Sequence, residues 1–472
     1  MHKPVRTLVS VAVVGILVTS VAHSGAFSLY TEGSPAAEGN YAAGIAAEAA
    51  DASTGWFNPA GLALIHKQEA VFGGVGVFPS VKMTGSSTFT TMGVPDFEQN
   101  FNGVSGGNNA FVPSSHYALP LGENATFGLS VVSPFGLDTD WTGSPVRYQA
   151  TFTEVITANI SPAIGAKVTE HFAVGAGLDF QYARVKFNTM IGLPTFFAAV
   201  NPALVDTLSY NNGNSIGVGF HVGVMGMFDD NHTRIGVNYQ SKMNHTFHGQ
   251  SRLMGPLATP GLSLGDPASI ATASSTALFK DNSLFSNRVA LPDVLTVSAY
   301  RDLNETIALL GSVVYTGWSS FNTVQLNNVA APSVGATGAV SQVQINATTA
   351  ENYSDTWRVA LGANYHVNDV WMLRVGGGYD ATPTNNLFRD VRLPDISRWA
   401  LAVGAHYQAR PNIGIDVGYT HLFQASNGDV NRTEAIGTTA AFNVDATTNA
   451  CVDLVGAQLV WLMDKPLEVS SK

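Results

Sequence analysis

Charge is scarce in this chain. Of its 472 residues only 12% are Asp, Glu, Lys or Arg, about half the share of an ordinary soluble protein, so a large water-facing surface would be hard to cover. Basic residues are the rarer kind, 23 against 34 acidic ones for a net charge of −11, and a nucleic-acid partner is excluded for want of a basic stripe. The single cysteine, Cys451, can neither close an internal disulfide nor build a metal cluster. It is read as a small apolar residue beside the last strand, and no metal or cofactor is expected. Long apolar runs are missing as well: past the N-terminus none approaches the roughly eighteen residues of a membrane-crossing helix, and mean hydropathy is only +0.13. Signatures of catalysis are absent too. There is no Gly-x-Ser-x-Gly elbow and no His-Glu-x-x-His pair, and Gly376-Gly377-Gly378 lies inside a strand pattern rather than a phosphate loop. The chain is not read as an enzyme.

What the chain does have is glycine, 47 residues of it, 10% aromatics, and alternation. In three neighbouring segments the apolar residues fall on one face: Trp357, Val359, Leu361, Ala363 and Tyr365; then Trp371, Leu373, Val375, Gly377 and Tyr379; then Trp399, Leu401, Val403, Ala405 and Tyr407. Period two means strands, because successive side chains point to opposite faces. Each apolar face opens with Trp and closes with Tyr eight residues later. Eight steps of about 3.3 Å at a tilt of about 40° rise roughly 20 Å, close to the height of the apolar band of a transmembrane barrel with its two aromatic girdles. The residues between them are small or polar, as in Arg374, Gly376 and Gly378, so polar faces in and apolar faces out.

Similar segments begin near residues 69, 107, 124, 148, 171, 215, 232, 289, 305, 354, 369, 395, 411 and 452. The reading is therefore all-β: an antiparallel transmembrane barrel of about 14 strands, an even number as single-chain bacterial barrels require. Short turns such as Asp229-Asp230-Asn231 face the periplasm, and the longer connections at 190–214, 248–288, 319–352 and 425–450 lie outside the cell. Asn201-Pro202 reads as an N-cap with proline at the first helical position. Residues 1–24 form a signal peptide, with His2, Lys3 and Arg6 before an apolar stretch from Leu8 to Ala22; cleavage after Ser24 is expected, with Ala26 as the alternative. Residues 25–66 do not alternate and are expected to form an N-terminal plug in the lumen containing short helices. The barrel takes 67–463, and 464–472 is a polar tail. The location is the bacterial outer membrane and the expected state a monomer.

Several stretches together resemble the outer-membrane long-chain fatty acid and hydrocarbon transporters of the FadL and TodX type. They are Gly25-Ala26-Phe27-Ser28-Leu29, Ala50-Asp51-Ala52, Trp56-Phe57-Asn58-Pro59-Ala60-Gly61-Leu62, Ser133-Pro134-Phe135-Gly136-Leu137, Tyr315-Thr316-Gly317-Trp318 and Asp355-Thr356-Trp357-Arg358. The resemblance implies a fourteen-stranded barrel closed by a hatch bearing Asn58, Pro59 and Ala60. It implies passive transport of hydrophobic compounds, long-chain fatty acids first, by capture at surface loops, an apolar lumenal pocket, and lateral exit at a kink in the third strand. Uptake of neutral aromatic or other hydrocarbons, or a non-transporting surface barrel acting as an adhesin or lipid hydrolase, are the alternatives.

By position the kink matches Pro134, Phe135 and Gly136. Proline and glycine there would weaken a strand on physical grounds alone, since proline brings no ladder donor. Phe196 and Phe197 in the loop after the fifth strand, and the inward Arg358, Arg374 and Arg398, are candidate ligand contacts; the arginines read first as a lumenal ion-pair network, because buried charges are normally paired. Where the fatty acid transporters carry basic residues after the fifth strand and before the tenth, this chain has Thr189 and Thr349. Arg184 and Lys186, just above the outer girdle, are placed to meet lipopolysaccharide phosphates. Asp138 and Asp140 near Trp141 read as a solvated loop, with a shared divalent cation as the alternative.

Overall fold

Alternation over eight to ten residues with no polar requirement on the outer face can only be satisfied by strands that pair all the way round, because an unpaired edge cannot face lipid. The computed structural model, which describes residues 26–192, 202–436 and 440–463, closes in that way. Fourteen antiparallel crossings follow one another. They are β1 (Glu69–Thr91), β2 (Val94–Ser105 and Ala110–Pro120), β3 (Ala125–Val132 and Gly136–Asp140), β4 (Phe152–Thr169), β5 (Phe172–Phe187 and Thr189–Ile191), β6 (Thr207–Phe228) and β7 (Thr233–Gln240 and Met243–Met254). The second half is β8 (Leu278–Leu291 and Val294–Asp302), β9 (Ile307–Thr316 and Thr323–Val334), β10 (Val340–Ala350 and Thr356–His366), β11 (Trp371–Asp380), β12 (Arg398–Arg410), β13 (Ile413–Gln424 and Gly428–Ile436) and β14 (Ala440–Leu462). Closure is made by β1 and β14, paired without a break from Glu69↔Leu462 to Thr91↔Ala440. The signal segment, Phe196, Phe197 and the polar tail lie outside the described residues.

The faces are as the alternation predicts: on β10 Leu361 is 69% exposed and its neighbour Ala360 1%. The Trp and Tyr residues meet across strands in register, Tyr379 on Trp399 at 4.8 Å and Tyr315 on Trp357 at 5.0 Å in the outer girdle, Trp371 on Tyr407 at 4.6 Å in the inner one. The expected long loops differ from the structure. Much of 207–215, 243–254, 278–291, 323–334, 340–350 and 428–451 is strand that continues beyond the membrane. The template failed there because outside lipid much of the outer face turns polar, as in Asn443, Asp445, Thr447 and Asn449 of β14, and the apolar-out pattern is lost. Asn201 lies outside the described residues, and Pro202–Val205 form a 3-10 turn.

The N-terminal segment fills the lumen with short, irregular pieces: 3-10 turns at Thr31–Gly33, Pro35–Gly39 and Pro59–Leu64, and single helical turns at Ile45–Glu48 and Thr54–Phe57. Five of its described residues, Ala26, Tyr41, Ala42, Gly44 and Ala49, have left-handed φ between 49° and 75°. Such a backbone leaves many polar groups unpaired by itself, and buried they would each cost on the order of 1–3 kcal/mol. Lumenal glycines let it approach the wall closely enough to find partners. A Cβ on Gly236 would fall inside the Ala46 carbonyl, and one on Gly223 inside the Asn58 side chain. Gly236→Val is therefore expected to unseat this hatch, at a cost of roughly 1–3 kcal/mol from overpacking. The check is planar-bilayer conductance, which should rise in the variant while the barrel keeps its heat-modifiable gel mobility.

Candidate functional site

Three structures meet in the lumen: the hatch, the interruption in β3, and an apolar cluster above both. Asn58 organises the hatch. Its Oδ1 accepts from the Ala60 N–H at 3.1 Å, capping the turn that Pro59 begins, and its Nδ2 donates to the Ala46 carbonyl at 2.7 Å and to the Val224 carbonyl of β6 at 3.1 Å. One fully buried amide thus ties two hatch turns to the wall. The remaining backbone is held from outside by wall side chains. His116 Nε2 meets the Gly33 carbonyl at 2.9 Å, His221 Nε2 the Gly55 carbonyl at 3.0 Å, Thr420 donates to Glu38 O at 2.8 Å, and Ser312 Oγ accepts from Gly44 N–H at 2.8 Å.

Arg358, Arg374 and Arg398 belong to the same system. Arg358 donates to the Tyr41 carbonyl at 2.7 Å and stacks 3.8 Å from the centre of its ring. Arg374 pairs with Asp416, which also takes His406 and Gln458, and Arg398 pairs with Asp395. All three guanidinium groups are buried and committed to hatch or wall partners. Beneath them a cavity of about 790 Å³, lined by Glu48, Asp51, Glu69, Arg374, His406 and Asp416, lies on the periplasmic side of the hatch. His221, Asp179 and Ser161 look at first like a hydrolase triad. Yet Ser161 donates to Asp179 rather than to the imidazole, and His221 spends its other nitrogen on Gly55, so no nucleophile is activated.

Strand β3 is interrupted at residues 133–135 and its lost ladder is replaced. Thr157 of β4 exchanges bonds with Phe135, donating from Oγ1 to the carbonyl at 2.6 Å and accepting from the amide at 3.0 Å. From the lumen, residues 27–29 add a short antiparallel stitch: Leu29 N–H to Pro134 O at 2.9 Å and Gly136 N–H to Phe27 O at 2.7 Å, centred on Ser28↔Phe135. Ala26 N–H reaches Asp395 Oδ2 at 3.0 Å. Phe27 is then packed edge-on against Phe135, Trp318 and Phe321, with Tyr353 closing the group.

Around and above these rings Val155, Val185, Phe247, Leu284, Leu326 and Leu393 continue the apolar cluster, with Phe187 against it. The space left between β5, β6, β7, β8 and β9 is about 10 Å³, so this region is collapsed around itself. Arg392, from the connection between β11 and β12, sits at its rim, 5.4 Å from the centre of the Phe187 ring. Every partner of the Arg392 guanidinium is neutral: Thr189 Oγ1 at 2.7 Å, Thr153 Oγ1 at 3.1 Å, and the carbonyls of Gln149 and Asn188 at 3.2 and 3.3 Å. Only its backbone N–H meets an acid, Asp390 Oδ1 at 2.9 Å, and among the described residues no carboxylate lies within 4.0 Å of the guanidinium. Glu351 stands nearby, its acid pushed up to about 8 first by burial and then by Asp390, with Arg392 and Arg432 opposing. The sequence singled out Thr189 but not Arg392, since nothing linear joins residues two hundred positions apart. Thr349 lies on β10 opposite Val324, away from this contact.

Arg184 and Lys186 do emerge on the outer face, where both pair with Glu154, at 2.8 and 3.2 Å. Asp138 accepts from Asn108 at 2.6 Å and Asp140 caps Thr142. Among the described residues no group of three or more His, Cys, Asp or Glu is arranged to hold a metal ion.

With this geometry in view, comparison with known proteins is direct. The long-chain fatty acid transport protein of Salmonella typhi is 26% identical over 435 residues, covering 89% of this chain and 92% of that one. A 47 kDa outer membrane protein of Pasteurella multocida is 28% identical over 416 residues, 86% of this chain and 89% of that one. Among solved structures, a Pseudomonas aeruginosa FadL homologue superposes with a TM-score of 0.75 at 22% identity, covering 92% of this chain and 99% of that one, and the Ralstonia pickettii toluene transporter TbuX with 0.60 at 18%, covering 92% and 99%. The model of the outer membrane protein transport family (OMPP1/FadL/TodX) matches residues 15–460. A closed barrel of fourteen strands with apolar faces to lipid, a hatch held by lumenal side chains and a match over nearly all of its length make this chain a member of that family of bacterial outer-membrane transporters of hydrophobic compounds.

Proposed function

We propose that the cargo is a long-chain fatty acid, bound with its carboxylate on Arg392 and its chain in the apolar cluster beneath. The observation that carries this reading is a rim arginine with only neutral partners, resting on an aromatic ring at the edge of a large apolar region. Arginine binds carboxylates through paired charge-assisted bonds, and the one from Arg392 to Thr189 brings a positive charge to a position where the chain itself has threonine. Admission of a chain requires the collapsed side chains to part, since about 10 Å³ holds no alkyl tail. Exit then follows through the β3 interruption at Pro134, Phe135 and Gly136, once residues 27–29 withdraw and the rearranged hatch, with Asn58, Pro59 and Ala60 at its hub, leaves that side free. Arg358, Arg374 and Arg398 hold the hatch in this scheme. A second reading, neutral aromatic compounds, is favoured by the ring cluster of Phe27, Phe135, Trp318, Phe321 and Tyr353, which would receive a flat apolar ring without any charge.

Substitution separates the two. Arg392→Gln is expected to lower oleate uptake by cells about tenfold or more, the worth of one charge-assisted contact, and to leave uptake of toluene unchanged; equal loss of both would discard Arg392 as a carboxylate anchor.

The pH profile should follow from Glu351. Below about pH 7 its acid and that of Glu434, which burial raises to about 7 against the pull of Arg392, are neutral and Arg392 is left for the ligand. Through about pH 7 to 8 first Glu434 and then Glu351 ionise beside the guanidinium and compete with the ligand. Binding of oleate to the purified protein should therefore weaken as pH rises from 7 through about 8 to 9, whereas binding of oleyl alcohol should stay flat.

Cross-linking addresses the exit. A Ser28→Cys, Phe135→Cys pair would fasten the stitch across the interruption. Oxidised cells should lose uptake and regain it with dithiothreitol; uptake indifferent to oxidation would remove this segment from the route.

A further inference from the structure

Three buried polar side chains at the deep end of the apolar cluster carry atoms that have no partner among the described residues. On β4 the inward residues run from Thr153, which touches Arg392, through Val155 of the cluster to Thr157 and Asn159. Asn159 pairs in register with Gln181 of β5, and Gln181 Oε1 meets His245 Nε2 of β7 at 3.0 Å. The three side chains belong to residues 0%, 0% and 1% exposed. To reach Gln181 the imidazole crosses β6, where Gly217 makes room: a Cβ there would lie 2.7 Å from His245 Cε1. An amide oxygen only accepts, so His245 Nε2 donates and, in the neutral ring, Nδ1 is left as an acceptor. Asn159 Nδ2 is spent on Ser161 at 2.6 Å and Asp179 at 3.2 Å, which fixes the orientation of that amide. Among the described residues His245 Nδ1, Gln181 Nε2 and Asn159 Oδ1 then stay unpaired. The hatch makes no use of them, since its bond to this part of the wall comes from His221. Unpaired polar atoms in a dry interior are costly and call for a reason.

One donor and two acceptors beside an apolar cluster match a hydroxyl, which donates once and accepts through its lone pairs. We infer that Asn159, Gln181 and His245 form a second polar subsite, at the opposite end of the apolar cluster from Arg392, for a hydroxyl group carried on a long alkyl chain. The hydroxyl accepts from Gln181 Nε2 and donates to Asn159 Oδ1 or His245 Nδ1. A carboxylate brings acceptors only and would face two more, and a hydrocarbon end leaves all three atoms unpaired. Thr153 and Asn159 are six residues apart on β4, roughly 20 Å at about 3.3 Å per residue, a span that an extended long-chain acid with a terminal hydroxyl covers from Arg392. The inference rests on the reading of the cluster as the place of the cargo and adds to it a preference for long-chain alcohols and ω-hydroxy acids.

The test is direct binding of labelled ligands to the purified full-length protein in uncharged detergent. Oleyl alcohol is expected to bind about tenfold or more tightly than its methyl ether, which cannot donate, because a buried polar site rejects an analogue that leaves its groups unpaired. Gln181→Met and Asn159→Leu should each bring alcohol and ether level while the barrel keeps its heat-modifiable gel mobility, and Arg392→Gln should leave the preference as it is. ω-Hydroxyoleate should likewise bind about tenfold more tightly than oleate to the wild type, and no better than oleate to Gln181→Met. Alcohol and ether bound alike by the wild type, as they would be with water alone on these atoms, or neither bound, or a preference that survives both substitutions, would overturn the subsite. The alcohol pair carries no carboxylate, so its outcome is separate from the reading of the cargo as a fatty acid, which is judged by oleate and Arg392→Gln.

Discussion

A polar backbone group that meets neither water nor a partner is too costly to keep, and the whole molecule is arranged around that constraint. Toward lipid the solution is closure, with β1 and β14 paired along their full length. Toward the lumen the problem is harder, because the hatch has almost no regular structure and therefore almost no internal hydrogen-bond ladder. Its carbonyls and amides are answered from outside, by His116, His221, Ser312, Arg358 and Thr420 on five different strands, and from inside by Asn58. Polar residues facing inward are thus less the lining of a water-filled channel than a set of fitted partners for one segment of chain.

The same constraint explains how a wall can be both interrupted and closed. Where β3 breaks at residues 133–135, Thr157 and residues 27–29 supply the bonds the ladder no longer makes. Those bonds are few, and apart from the two made by Thr157 of β4 they are exchanged with a short hatch segment rather than with a neighbouring strand. Such a segment can leave at far lower cost than a strand, which is the physical basis for the proposal that the exit lies there. Arg392 follows a related logic: its charge is solvated by two hydroxyls and two carbonyls instead of a carboxylate, so it is stable as it stands and still able to take an anion.

Legibility from sequence followed how local each feature is. Trp357 to Tyr365, Trp371 to Tyr379 and Trp399 to Tyr407 announced their strands, their faces and both girdles, because period two and aromatic spacing are read within one segment. Asn58-Pro59 announced a capped turn for the same reason. The strand ends outside the membrane were misread as loops because water removes the apolar outer face. Arg358, Arg374 and Arg398 were seen to face inward, but that Arg358 holds the hatch depends on Tyr41, three hundred positions away, and the partners of Arg374 and Arg398, Asp416 and Asp395, are fixed only by register and by the path of the chain between strands. Arg392 was invisible, since its meaning lies entirely in what stands beside it.

The sequence by itself determined that this chain is a transmembrane barrel of about fourteen strands with a non-strand segment ahead of it: low charge, absent helical runs and alternation with aromatic punctuation admit little else. Its likeness to the outer-membrane transporters of hydrophobic compounds was also legible there, in a few short motifs. Tertiary structure alone decided which lumenal side chains hold the hatch, what closes the interruption in β3, and that the Arg392 guanidinium is held by neutral partners at the rim of the apolar cluster. The reason is that periodicity records which face of a strand a residue occupies, whereas pairing of charges and backbone groups depends on strand register and on the path of the hatch, and both are set by the closed barrel as a whole.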